Sequence, residues 1–390
     1  MNQLPRRLLS IDVFRAVTML FMIFVNDLEG AHNIPDWIEH VKDNVDGLGF
    51  ADTIFPAFLF IVGLSLPFSI NNRLKKGESF ISIAGYILLR SMALIIIGVF
   101  HVNLETYSNV SLLSKPMWGL LAHIGFFMIW LDYPAEMVKA KKYALMGTGI
   151  IILIFLAIVY RGGKPGHIHI MQHSWWGILG IIGWAYLVCA SVYLLVKGRL
   201  WVLITMLLIF LTISIVSHLE LFDMDLWVID DASSVSLVMC GVVISVLYAQ
   251  LAEKGKAKYI WGIFAAIAVA MLAGGFIVRP YTGGISKIYS TTAWVMICSG
   301  ISILVFELMI YLVDVRGKQN WFKLIRPAGT STLTCYLIPY FQFYILKLLH
   351  VKYPHIINSG TGALIRAMVI SFLVIILAGY LEGRKFRLKI

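Results

Sequence analysis

Between Val25 and Gly47 the chain reads VNDLEGAHNIPDWIEHVKDNVDG, with six acidic residues, Asn26 and two histidines, His32 and His40. Histidine titrates nearest neutrality and serves as a general base, acid or transient nucleophile. Asp36, Glu39, Asp43 or Asp46 stands close enough in sequence to orient a histidine ring. By position alone, His32 and His40 have the same claim. Asn26 brings an amide that either bonds between helices or orients a substrate and binds a developing oxyanion. Asp52, just beyond the loop, suits a helix N-terminus or a carboxylate hydrogen-bonded to the base. Upstream, Asp12 and Arg15 are three apart and share a helix face. One reading makes Ser10 the N-cap and lets Arg15 snorkel to head groups. The other has Arg15 meet an anionic group entering from the cytosol.

Two further stretches carry ionisable side chains. RPYTGGISKIYSTTAW offers Arg279, Lys287 and Ser290 as interface anchors or cavity residues. HIHIMQHSWWG places His169 and His173 at i,i+4, a metal-binding spacing on a helix. No cysteine or nearby carboxylate completes that set, and Trp175–Trp176 reads as an interfacial aromatic belt, so no metal is expected. Cys189, Cys240, Cys298 and Cys335 all lie in apolar segments and read as buried small hydrophobes. The sequence has no CxxC, Walker loop, HExxH or GxSxG.

The elements that must position these groups are membrane helices. The 390 residues are 59% hydrophobic and 14% charged, with a mean hydropathy of +0.84, whereas soluble domains carry about 25% charged residues. Apolar runs of about 18 or more residues recur throughout, the length that crosses a ~30 Å hydrocarbon core. The first run lacks a small-residue cleavage site and reads as a true span. Twelve helices are expected, at 12–30, 52–71, 80–101, 117–133, 143–160, 175–196, 200–217, 234–252, 259–278, 290–314, 329–349 and 362–382, forming one all-α integral-membrane domain over 1–390. With the N-terminus inside, 21 of the 32 lysines and arginines fall in cytoplasmic segments and seven in external ones. Arg15, Arg90, Lys347 and Arg366 lie within helices. That asymmetry places both termini in the cytoplasm and attributes the +11 net charge to this bias and to anionic lipid, not to nucleic acid. The acidic loop is then external. Asn26, fourteen residues beyond Asp12, lies about 21 Å farther along the axis, in the outer third of the membrane.

These residues also carry a family resemblance. SIDVFRAVTMLFMIFVND, a loop histidine and GLGFADTIFPAFLFIVG resemble the opening of the heparan-α-glucosaminide N-acetyltransferase family and its bacterial relatives, within a transmembrane acyltransferase superfamily. The family pattern S-x-D-x-F-R-G, V-N, a histidine, then G-L-x-x-A-D-x-x-F-P is matched at Ser10, Asp12, Phe14, Arg15, Asn26, His40, Gly47, Leu48, Ala51, Asp52, Phe55 and Pro56. ISKIYSTTAWVM…YLVDVRG is similar to the family's N-K-x-L-W-T-x-S segment, and WWGILGIIGWAYL more loosely to P-G-V-L-Q-R-I-G. The likeness covers residues 1–110, the catalytic-motif region, and 280–330, a second family-like region. Ala16 stands where the family has Gly, a Gln-Arg pair is missing, the D-P-E-G motif survives only as DDASS near Asp230, and an apparent extra helix pair at 117–160 adds to a ten-helix core.

The resemblance implies transfer of acetyl from cytosolic acetyl-CoA to a glucosamine-type amine or glycan across the membrane. The family's active histidine falls on His40, not His32, and its functional asparagine on Asn26. Asp52, Asp12 and Arg15 would support them, with Lys287, Ser290 and Arg279 as substrate or cofactor contacts. A bacterial inner membrane, a homodimer and O-acetylation of a surface glycan are compatible with it. The reading from another class is a secondary transporter of a sugar or anion. It predicts related halves, yet residues 1–195 and 196–390 show no convincing repeat, and ionisable residues cluster near helix ends, with Glu307 the main exception.

Overall fold

The computed structural model describes residues 8–164, 166–219 and 227–390. Arg6 and Arg7, counted above with the cytoplasmic set, lie outside the described residues. The chain is all-helical: α1 Leu9–Asp27, α2 Phe50–Lys75, α3 Phe80–Asn103, α4 Lys115–Trp130, α5 Lys139–Val159, α6 Gly177–Val196, α7 Leu200–His218, α8 Ser233–Glu253, α9 Ile260–Val278, α10 Thr292–Met309, the short α11 Arg326–Thr330, α12 Thr332–Leu348 and α13 Gly360–Gly383. A π-helical turn, Ile310–Val315, prolongs α10. The twelve long helices among the described residues coincide with the twelve expected, within a few residues at each end.

Ten of them are long and apolar enough to cross a membrane. The other two, α4 and α12, have 16 and 17 residues. At 1.5 Å per residue these reach about 24 and 26 Å, short of a full hydrocarbon core. Both nonetheless run from one end of the bundle to the other. The loop before α4 pairs with the loop before α6 (Ser108 N to Arg161 O, 2.9 Å), and the turn after α4 pairs with the C-terminal residues (Asp132 N to Arg387 O, 2.8 Å). Leu388 N meets Thr334 Oγ1 at the start of α12, while the loop after α12 reaches the α1–α2 loop (His32 N to Asn358 O, 3.0 Å). The loops therefore sort alternately to two ends.

Close helix contacts come from glycine. A Cβ on Gly63 of α2 would stand 2.0 Å from Val238 O of α8, and one on Gly98 of α3 would stand 2.3 Å from Gly180 N of α6. Small residues at such crossings let backbones approach in a bilayer, where exclusion of water cannot drive helices together. In α8 72% of the spanning window is buried and in α5 only 17%, so α8 lies at the centre of the bundle and α5 at its rim.

One reading at a helix start is corrected: Ser10 is not an N-cap, because α1 begins at Leu9 after Leu8, without a side-chain cap. Pro56 lies in the second turn of α2, which begins at Phe50. At that position proline removes the amide that would bond the carbonyl four residues back, which is Asp52 O. The freed carbonyl accepts the indole N–H of Trp294 at 3.1 Å instead, tying α2 to α10 beside the site.

Candidate functional site

The N-terminus of α2 organises the site. Its first amides bond the preceding loop, Phe50 N to Trp37 O at 2.8 Å and Ala51 N to Ile38 O at 3.1 Å. The loop crosses so closely that a Cβ on Gly49 would stand 2.0 Å from Glu39 O. That backbone path brings His40 over Asp52. Asp52 is buried, and its two oxygens divide two tasks. Oδ2 accepts Gly49 N at 3.1 Å and Val41 N at 3.0 Å, closing the helix start, while Oδ1 lies 2.7 Å from His40 Nδ1. Capping and ring orientation, the two roles read for Asp52, coexist. The other four carboxylates considered for the ring do not contact it.

A carboxylate on Nδ1 makes that nitrogen the donor and leaves Nε2 with its lone pair. The His40 side chain is 45% exposed against 3% for Asp52, so Nε2 is open to a reactant. Lys287 Nζ lies 3.2 Å from Nδ1 and 3.3 Å from Nε2. Being nearly equidistant, it aligns well with neither and acts chiefly as a positive charge beside the ring. Burial lowers the Lys287 pKa, while Asp52 and Glu29 oppose that shift. Its ammonium thus gives up a proton more readily than an exposed lysine does.

The segment bearing Lys287 is fastened to the histidine loop. Asp46 accepts Arg279 Nε at 2.9 Å and Ile285 N at 2.7 Å, and Gly47 N donates to Ile285 O at 3.1 Å. The Ile285 amide, followed by Arg279, holds the Asp46 carboxyl below its ordinary range. Arg279 is thereby a clamp on the rim. Ser290 contributes backbone: it has a left-handed φ of 52°, and its carbonyl accepts Ser233 Oγ at 2.6 Å.

The remaining sequence candidates lie apart. Asn26 is exposed in the last turn of α1 and has no hydrogen bond to His40 among the described residues. Its neighbour Asp27 is gripped by Arg366 of α13, through Nε to Oδ2 at 2.9 Å and Nη2 to the carbonyl at 2.6 Å. His32 takes part in the α1–α2 loop only through its backbone. Asp12 and Arg15 lie at the other end of the bundle. Arg15 bonds Asp12 (3.3 Å), Gly329 O (3.0 Å) and Ser65 Oγ (2.5 Å), so it ties α1 to α2 and α11. His169 and His173 do not converge: the first pairs with Gly162 and the second packs on Trp176, ring centroids 4.5 Å apart.

Sequence reasoning missed the polar wall of a cavity of about 100 Å³ between α1, α2, α3, α6 and α12, lined by Met19, Met22, Phe58, Arg90, Tyr186 and Tyr336 among others. Along α2, Phe58 lies about 9 Å deeper than Asp52. Arg90 bonds Tyr86 Oη at 2.9 Å and its guanidinium lies 5.1 Å from the centre of the Tyr186 ring. The buried Tyr186 hydroxyl has no hydrogen-bond partner among the described residues. An arginine midway along a long apolar helix was itself the available signal. It joins Glu307 as an exception to the clustering of ionisable residues near helix ends.

Residues 7–176 match the family model described as heparan-alpha-glucosaminide N-acetyltransferase, catalytic. The chain is 39% identical over 104 residues to heparan-alpha-glucosaminide N-acetyltransferase of Homo sapiens, covering 26% of this chain and 15% of that protein. It is 40% identical over 98 residues to the enzyme of the same name from Mus musculus, covering 25% of this chain and 14% of that protein. The aligned stretch thus spans about 15% of the relatives' length. The likeness anticipated over the first 110 residues is present, and its matched span contains His40, Asp52, Asn26 and Arg90.

Proposed function

We propose that the protein is a membrane acetyltransferase moving acetyl from acetyl-CoA at one face of the bilayer to the amino group of a glucosamine-type sugar or glycan at the other. The observation that carries this reading is His40, oriented through Nδ1 by Asp52, with Nε2 open beside Lys287. Similarity to the N-acetyltransferase family supports the acyl chemistry. The basic bias of the end opposite His40 supports cytoplasmic termini and an external His40, in a bacterial inner membrane.

In the proposed reaction the sugar nitrogen attacks the thioester carbonyl, a C–N bond forms and the C–S bond breaks. His40 Nε2 takes the proton the amine loses and passes it to the departing thiolate. Lys287 donates to the carbonyl oxygen as charge develops there. Asn26, at the same end of the bundle, would orient the acceptor. In a two-step variant His40 Nε2 first receives the acetyl group and then yields it to the amine. The donor's arm would enter from the basic end toward the cavity, where Arg90 and the unpartnered Tyr186 hydroxyl offer polar contacts. The acidic loop would attract a cationic amino sugar, an attraction that added salt weakens.

The test reconstitutes the full chain in liposomes, supplies acetyl-labelled CoA at one face and glucosamine-type acceptors at the other, and scores N- and O-acetyl products separately by their lability to base. Labelled N-acetyl sugar is expected. Acceptor uptake without acyl donor, with no acetylated product, would replace this reading with that of a transporter.

A further inference from the structure

His218 closes α7, and both of its ring nitrogens face backbone carbonyls. Nδ1 lies 2.7 Å from Ser214 O and Nε2 lies 3.0 Å from Tyr289 O. A carbonyl oxygen only accepts, so hydrogen bonds to both would need a proton on each nitrogen, as an imidazolium has. The surroundings suit that charge. Asp231 Oδ2 is 3.6 Å from Nε2, and the C-terminus of a helix favours a cation. Burial pushes the Asp231 pKa up to about 6, leaving it mostly ionised at neutral pH. Among the described residues, the other charged groups near this contact are Asp230, beside Asp231, and Lys287, two residues before Tyr289. The hydroxyls of Ser214, Ser233 and Thr292 complete the setting.

Tyr289 belongs to the segment that presents Lys287. That segment is anchored on one side by Asp46, through Ile285 and Arg279. Its other side is held by Tyr289 O on His218 and Ser290 O on Ser233 Oγ. We propose that His218, held as an imidazolium, is a positioning residue that pins this segment and so keeps Lys287 against His40. The proposal rests on reading His40 and Lys287 as the working pair. A neutral ring can donate to only one of its two carbonyls and turns a lone pair on the other. Loss of the proton therefore frees either the ring from its own helix or the Lys287 segment from the ring.

The experiment uses the full chain in lipid nanodiscs as wild type, His218→Arg and His218→Gln. Arginine keeps the charge and several donors, whereas glutamine has one amide group and no charge. Side-chain nitrogen NMR of labelled histidine, with His218→Gln subtracted to assign the signal, should show both His218 ring nitrogens protonated at pH 7.5. A neutral tautomer there overturns the proposal whatever the activity. In acetyl transfer, His218→Gln should lower kcat/KM about 10-fold, the scale of one lost hydrogen bond to a charged group. His218→Arg should retain activity and move the alkaline fall of the pH profile to higher pH. An alkaline fall unchanged in His218→Arg assigns that limb to Lys287 and also overturns the proposal. Absence of any acetyl transfer in wild type, with the imidazolium signal present, would instead sink the reading of His40 and Lys287 while leaving the clamp on Tyr289 standing.

Discussion

Two histidine sites in this bundle are built in opposite ways. His40 sits at a loop end between a carboxylate and an ammonium, and its side chain is 45% exposed. His101 of α3 and His123 of α4 stack on each other with ring centroids 5.0 Å apart, and Tyr340 packs against both. His123 Nδ1 donates to Gly119 O at 2.8 Å, so its Nε2 must accept the proton of His101 Nε2 across 3.1 Å. That arrangement occupies the Nε2 lone pair of His123 within the protein. At His40 the carboxylate occupies Nδ1 and leaves Nε2 for a reactant. A histidine's partners, more than its depth, decide whether it can do chemistry.

The comparison breaks most readily at Asp52. In Asp52→Asn the amide oxygen can still accept Gly49 N and Val41 N, but its NH2 faces His40 Nδ1. The ring must then accept there and carry its proton on Nε2, the wrong tautomer for a base. Acetyl transfer should fall by about 100- to 10,000-fold with little change in Tm. A large fall in Tm with unchanged kcat would make Asp52 a capping residue alone.

At the buried pair the effects should be reversed. His123→Phe keeps the aromatic packing but leaves His101 Nε2–H without its acceptor, costing about 1–3 kcal/mol as a lower Tm. Activity per folded molecule should stay within several-fold of wild type. Abolished transfer in a protein of normal stability would place the pair in the reaction.

The smallest effect concerns the rim. The Asp46 carboxyl is held below its ordinary range, first by the Ile285 amide and then by Arg279. A depressed carboxyl contributes stability that is present above its unfolded value and is lost as pH falls through its folded value. Hydrogen exchange at the Ile285 amide should therefore quicken as the pH drops below the ordinary carboxylate range. The change should be modest, because the Asp46 and Arg279 side chains are 45% and 39% exposed. Unaltered exchange through that range would remove Asp46 as the anchor of the Lys287 segment.

Much of the fold was legible because hydropathy repeats over whole helices. Twelve apolar runs and their alternating loops need no knowledge of single contacts. The site was legible only in part. Asp52 and His40 are twelve residues apart, so local reasoning already admitted their pairing, although choosing His40 over His32 needed the motif resemblance. Lys287 emerged as one of three residues in a polar loop, without a partner, since its contact with His40 spans 247 positions and leaves no periodic trace. Trp294 was invisible for a related reason: it serves a carbonyl that Pro56 sets free. Arg90 was in plain view as an arginine deep within an apolar helix.

The central claim is that His40, oriented by Asp52, carries the acyl chemistry. The most direct measurement compares single-turnover acetyl transfer by folded, purified His40→Gln with that of wild type under saturating donor and acceptor. The expected loss is about 1,000-fold or more. Transfer by His40→Gln at the wild-type rate would contradict the account.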